Sequence, residues 1–153
     1  MSMRQIVIFE LGKEAYGIDI MKVVEIVLDQ EIRHVPDAPS YIEGIVNLRG
    51  DIHHIYNLRT RFSMEQTQAD ENTKIIVIRT PEMNVGFIVD NVSEIPNISK
   101  KNIEDPPSII SSSADKRYIE GVAKEDNRMI VLLDIDKLVS DKDYGIMQKI
   151  VEE

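Results

Sequence analysis

The sequence predicts an all-β chain in which two small five-stranded barrels pack together as one folding unit, with short helical turns and a C-terminal helix. Three observations lead there. About ten short, β-branched runs are bounded by turn residues. A segment of the chain occurs twice. Five short strands from one copy enclose too little interior to be stable alone, so the copies must share apolar side chains.

The duplication is clearest at "YIEG", found at 41–44 and again at 118–121, an offset of 77 residues. Without a gap, Ile45, Ile52, Ile55, Tyr56 and Leu58 then fall on Val122, Met129, Leu132, Leu133 and Ile135. Upstream, "IVIFELGKEAYGIDI" resembles "IIVIRTPEMNVGFIV", which sets Gly17 against Gly86 at an offset of 69. The second copy therefore carries about eight extra residues, assigned to the Pro/Ser-rich "EDPPSIISSSADKR" as irregular surface chain.

In chain order, strands are expected at 5–11, 16–20, 31–35, 44–48 and 51–56 in the first copy, and at 74–80, 85–89, 93–97, 120–124 and 128–133 in the second. "MKVVEIV" reads either as a helical turn or as a strand. "LRTRF" and "IDKLVS" read as single turns after the last strand of each copy, the second capped by Asp134 at the position of Asn57. A helix is expected over 141–152, with Tyr144, Met147 and Val151 at helical spacing and Asp141 and Asp143 near its start. The first subdomain is placed at about 12–72 and the second at about 73–140, with the N-terminal strand closing one barrel and a polar linker, "SMEQTQADEN", between the copies.

Composition narrows the function. The 153 residues carry a formal charge of −9 and no basic cluster, which would repel a phosphate backbone and makes nucleic acid a poor partner. Cysteine is absent, which excludes disulfides and thiolate zinc sites and fits a reducing cytosol. The N-terminal "RQIVIFEL" lacks the pattern of a secretory leader, and no apolar run approaches the roughly 18 residues that span a bilayer.

No pattern of residues marks a catalytic centre. Gly12, Gly17, Gly44 and Gly50 are scattered instead of forming a phosphate-cradling loop, and neither a Walker, a dinucleotide nor a G-x-S-x-G motif is present. His53 and His54 are adjacent on a strand and point to opposite faces, so they do not readily ligate one metal. His54 shares a face with Ile52 and Tyr56 and reads as a partly buried imidazole; His34, before "VPDAP", reads as a surface residue. Asp134 and Asp136 are spaced to hold a divalent cation, but a cap at Asp134 accounts for its match with Asn57. A small metal- or ligand-binding β protein using His53, His54, Asp134 or Asp136 is the competing reading.

In "NLRGD" the glycine is explained by a hairpin turn that needs a left-handed residue, since its equivalent in the second copy is Asn127. Arg49 is not, because the second copy has Asp126 there. "YGIDIMKVVEIV", "IEGIVNLRGDIHHIYNLR" and "MNVGFIVDNVSEI" resemble the CheW family of chemotaxis coupling proteins, and the likeness runs from about residue 5 to 138. It implies two SH3-like barrels and a non-enzymatic, cofactor-free adaptor. In the cytoplasm such an adaptor is recruited to membrane receptor arrays without entering the bilayer, and joins chemoreceptor cytoplasmic tips to the histidine kinase CheA through that kinase's CheW-like regulatory domain. Related domains occur within CheA and CheV, so a module detached from a larger signalling protein is a further alternative.

The resemblance carries receptor-facing roles to Val23, Glu25, Gly44 and Arg49, with Glu25 and Arg49 matching an acid and a base that pair. It also carries a receptor-binding role to Val85, Val92 and Ile95, which fall on positions lining the groove between the barrels where a receptor helix tip is expected to sit. Kinase-facing residues are not assigned. Many members have proline where this chain has His54, a difference expected to touch only a strand edge.

Overall fold

The computed structural model describes residues 2–36, 38–81, 83–105, 118–139 and 145–146. Among these, twelve strands form two sheets. The first half supplies β1 (Met3–Leu11), β2 (Glu14–Asp19), β3 (Val23–Leu28), β4 (Ile42–Leu48) and β5 (Asp51–Asn57). The second supplies β6 (Lys74–Arg79), β7 (Asn84–Val89), β8 (Asn91–Glu94), β9 (Asn97–Ser99), β10 (Ile103–Glu104), β11 (Ile119–Glu125) and β12 (Arg128–Leu133). One-turn helices α1 (Leu58–Arg61) and α2 (Ile135–Leu138) follow β5 and β12. The all-β expectation holds, with short strands each presenting alternate residues to an interior.

The duplication is reproduced in the pairings. Parallel strands β5 and β7 set Ile55 opposite Gly86, and parallel strands β12 and β2 set Leu132 opposite Gly17. These are the same contact, related by the offsets of 77 and 69 read from the sequence. The β4–β5 ladder is bulged between Ile42 and Gly44, and the β11–β12 ladder between Ile119 and Gly121, again equivalent positions. The helical turns match as well. The Asn57 side chain accepts from the Thr60 amide at 3.0 Å and that of Asp134 from the Lys137 amide at 3.3 Å, so both caps do the same work.

The subdomain boundary near 73 does not survive. The first sheet runs β3-β6-β7-β5-β4, and the second β10-β11-β12-β2-β1-β8 with β9 also on β1. Each copy's opening hairpin is thus built into the sheet of the other copy. Reversed charges suit this exchange. Arg59 of α1 binds Asp90, and Asp136 of α2, its equivalent, binds Lys22 at 3.0 Å. Both ion pairs tie a helical turn to the chain just after the other copy's opening hairpin.

Other expectations change in detail. The strand at 31–35 reduces to a bridge between Arg33 and Ile45, whose counterpart in the second sheet is β10 on β11. "MKVVEIV" is both alternatives in turn, a 3₁₀ turn at Ile20–Lys22 and then β3. The strand at 93–97 is split into β8 and β9 by Pro96, which lacks an amide to donate. These short pieces raise the second sheet to seven strands. β5 is paired on both sides, with His54 between Ile45 and Val85, so the position expected to be a strand edge is not one. The Pro/Ser-rich insertion and most of the segment expected to form the C-terminal helix lie outside the described residues; Gly145 and Ile146 are helical, and Ile146 packs on the core.

Each sheet keeps a small interior of its own, Val46, Leu48, Ile55, Ile75 and Val77 in the first and Ile6, Ile8, Ile98, Ala123, Ile130 and Leu132 in the second. The largest cluster is shared: Phe9 and Ile18 from the second sheet meet Tyr56, Ile76, Ile78 and Phe87 from the first, with Leu58 and Leu138 from the helical turns. Each fully buried side chain there contributes about 1.5–3 kcal/mol. Much of the interior therefore exists only where both sheets are present.

Candidate functional site

The candidate residues gather on β3 and on the β4–β5 turn. The Asp19 side chain accepts from the Met21 amide at 2.9 Å, closing the 3₁₀ turn that launches β3. A bulge against β6 between Val23 and Glu25 then re-aims the strand. Val23 packs half-buried on the shared core, and the Glu25 carboxylate faces outward, with its side chain 26% exposed.

Arg49 stands on a two-residue turn, with φ 53° at Arg49 and φ 90° at Gly50, and the equivalent Asp126 and Asn127 are also left-handed at 47° and 65°. Both central residues at positive φ is the turn that matches strand twist in a tight hairpin. Asparagine, aspartate and glycine suit that conformation; arginine is a poor choice, at a cost of about 1 kcal/mol. Its side chain is 73% exposed and forms an ion pair with Glu25. The pair joins β3 and β4, the two outer strands of the first sheet.

The other candidates divide. Val92 begins the bulged register of β8 on β1 and packs half-buried on the shared core, as Val23 does. Ile95 is 40% exposed. Gly44 is buried and plays a backbone part: a Cβ there would lie 2.1 Å from the Arg33 carbonyl oxygen, whose acceptance from Ile45 at 2.9 Å holds the bridge to β4. Val85 corrects the expectation of a groove-lining residue. It is fully buried in the shared core, because the inward face of β7 that carries it also carries Phe87 and Val89.

A further pair was missed. Glu94 of β8 binds Arg128 of β12, and the offset of 69 places Glu94 on Glu25 and Val92 on Val23. The signal is present as "VVEI" at 23–26 and "VSEI" at 92–95. Its basic partner could not be found that way, since Arg128 is two residues beyond the equivalent of Arg49. Beside it, burial and then repulsion from Glu94 and Asp126 raise the pKa of Glu125 against the opposing effect of Arg128.

Three residues of the metal-site reading have other structural roles. Asp134 caps α2, Asp136 binds Lys22, and His54 is buried on the face that carries Tyr56. His53 is partly buried on the opposite face, and its Nδ1 has no hydrogen-bond partner. Among the described residues no three His, Asp or Glu side chains converge to hold a metal. No helix among them is long and apolar enough to cross a membrane.

Four similarities bear on this arrangement. The family model of the CheW-like domain matches residues 5–143. The chain is 36% identical to chemotaxis protein CheW of Treponema pallidum, over 91% of this chain and 84% of that one. It is 34% identical to CheW of Klebsiella aerogenes, over 97% and 89%. The crystal structure of the scaffolding protein TtCheW from Thermoanaerobacter tengcongensis superposes with a TM-score of 0.84 at 35% identity, covering 94% of this chain and 92% of that one.

Proposed function

The chain belongs to the CheW family, and from that premise we propose that it is a non-enzymatic coupling adaptor of chemotaxis signalling, bridging chemoreceptor cytoplasmic tips and the CheW-like regulatory domain of the kinase CheA. The observation that carries this reading is the match of family and fold over nearly the whole chain. Its place of action is then the cytoplasmic side of membrane receptor arrays.

The receptor-facing surface comprises Val23, Glu25 and Arg49 on the first sheet, with Val92 and Ile95 on the second. Two features support it. Arg49 occupies a backbone position that disfavours it, and an exposed ion pair contributes only about 0–1 kcal/mol to folding. A charge pair at an interface instead fixes register and rejects wrong partners. Function is then a coupling free energy, in which receptor state biases kinase state through a bridge that holds its shape. Modest contacts on two faces act together in an array through effective concentration.

The test is co-sedimentation of this protein with receptor-tip assemblies and CheA, each omitted in turn. CheA should enter the pellet only when both the receptor and this chain are present. CheA sedimenting equally well without it would refute the adaptor role. A thermal-shift screen with divalent ions addresses the metal-binding alternative, which stabilisation by one ion would favour.

A further inference from the structure

α1 carries an arginine whose contacts cross between the two sheets. The Arg61 guanidinium lies 4.4 Å from the centre of the Tyr118 ring and 5.5 Å from that of Tyr41. These tyrosines open the two YIEG copies, Tyr41 leading into β4 of the first sheet and Tyr118 into β11 of the second. One cation is thus shared by equivalent residues of the two halves. Arg61 Nε also donates to the Tyr56 hydroxyl at 3.0 Å, and that hydroxyl donates to the Leu138 carbonyl in α2 at 3.3 Å. Arg61 therefore touches both tyrosines directly and reaches α2 through the Tyr56 hydroxyl.

The position is asymmetric for a physical reason. The offset of 77 sets Leu138 on Arg61, and Leu138 is fully buried. A second arginine there would bring two like charges to one partly apolar seam and add the desolvation cost of another buried cation. The apolar cluster around the seam gives cohesion without direction. A planar cation over ring faces, with a directional hydrogen bond, selects one arrangement.

We propose that Arg61 is a positioning residue that fixes the placement of the two sheets relative to each other, and thereby the geometry between the surfaces offered to the two partners. The second clause rests on the adaptor reading; the first does not.

The chain has no cysteine, so Leu28→Cys on β3 and Met129→Cys on β12, both at exposed positions, give one spin-label site on each sheet. Pulsed electron paramagnetic resonance then reads the inter-sheet distance distribution. Arg61→Met should broaden or shift it while the circular dichroism stays that of the parent. Arg61→Lys, which keeps a cation near the rings but loses the fork of donors, should fall between. If Arg61→Met does not fold, Tyr118→Leu removes the closer ring and should broaden the same distribution. In assembled receptor–kinase complexes, receptor control of the kinase should fall about fivefold or more while binding to each partner alone changes less than twofold. An unchanged distribution in the folded variants, with only a lower melting temperature, would overturn the proposal. A parent that binds neither partner, with the distribution still broadened by Arg61→Met, would sink the adaptor reading and leave the positioning role supported.

Discussion

Replacing Arg49 with asparagine separates the two things that the β4–β5 turn does. The variant loses the ion pair with Glu25, which at 73% exposure on the arginine side and 26% on the acid side contributes about 0.2–1 kcal/mol. It also relieves a left-handed arginine at φ 53°, and asparagine, found at the next position of the equivalent turn, recovers a similar amount, about 0.5–1 kcal/mol. The two changes cancel to within about 0.5 kcal/mol, so the melting temperature should move by no more than about 2 °C. Binding has no such compensation, and loss of a charge that sets register should weaken receptor-tip affinity about tenfold, or 1.4 kcal/mol. Calorimetric melting and titration against a soluble receptor-tip fragment measure the two quantities on one sample. The reversed pair, Glu25→Arg with Arg49→Glu, sharpens the test, because it restores the bridge between β3 and β4 while presenting the wrong charges outward. It should fold as the parent does and bind as weakly as the single variant. Recovery of full affinity in the reversed pair would show that the pair serves only to hold the barrel, and the reasoning would fail.

Three more outcomes follow from particular contacts. Gly44→Ala should unfold the chain or lower its melting point by well over 10 °C, since the added carbon would overlap the Arg33 carbonyl at 2.1 Å; loss of binding in that variant then reports folding and not a receptor contact. His53→Ile copies Ile130 of the second sheet and removes a buried ring nitrogen without a partner, so it should stabilise by about 1 kcal/mol, seen as a denaturation midpoint shifted upward at unchanged slope. Burial raises the pKa of Asp90, but hydrogen bonds from Arg59 and the Gly12 amide and the charge of Arg59 outweigh it and leave it below the ordinary 3.8. A carboxyl depressed by folding stabilises fully above its unfolded value and loses that contribution as pH falls through the folded one, so the parent should lose stability below about pH 3.8. Arg59→Met should flatten that acid limb, and an unchanged limb in urea titrations from pH 5 to 2 would count against the pair.

The duplication, the strand character of most elements, the two hairpin turns and the caps at Asn57 and Asp134 were legible in the sequence, because each depends on residues close together in the chain: alternation along a strand, a left-handed position in a turn, a side-chain oxygen three residues before an amide. The acid–base pair at Glu25 and Arg49 was legible only through resemblance. Which hairpin joins which sheet was not, since two copies with similar edges allow either pairing from local pattern alone. That choice rests on groups far apart in the chain, among them Arg59 with Asp90, Lys22 with Asp136, and the side chains of both sheets in the shared core. Nor does alternation say which face of a strand is inward. It puts Val85 with Phe87 and Val89, and only the second sheet closing over that face buries all three. The sequence alone determined the repeated parts and their turns; the tertiary structure decided how the copies interlock and which side chains remain outside to meet a partner, because burial arises from what packs against a surface and local propensity does not contain it.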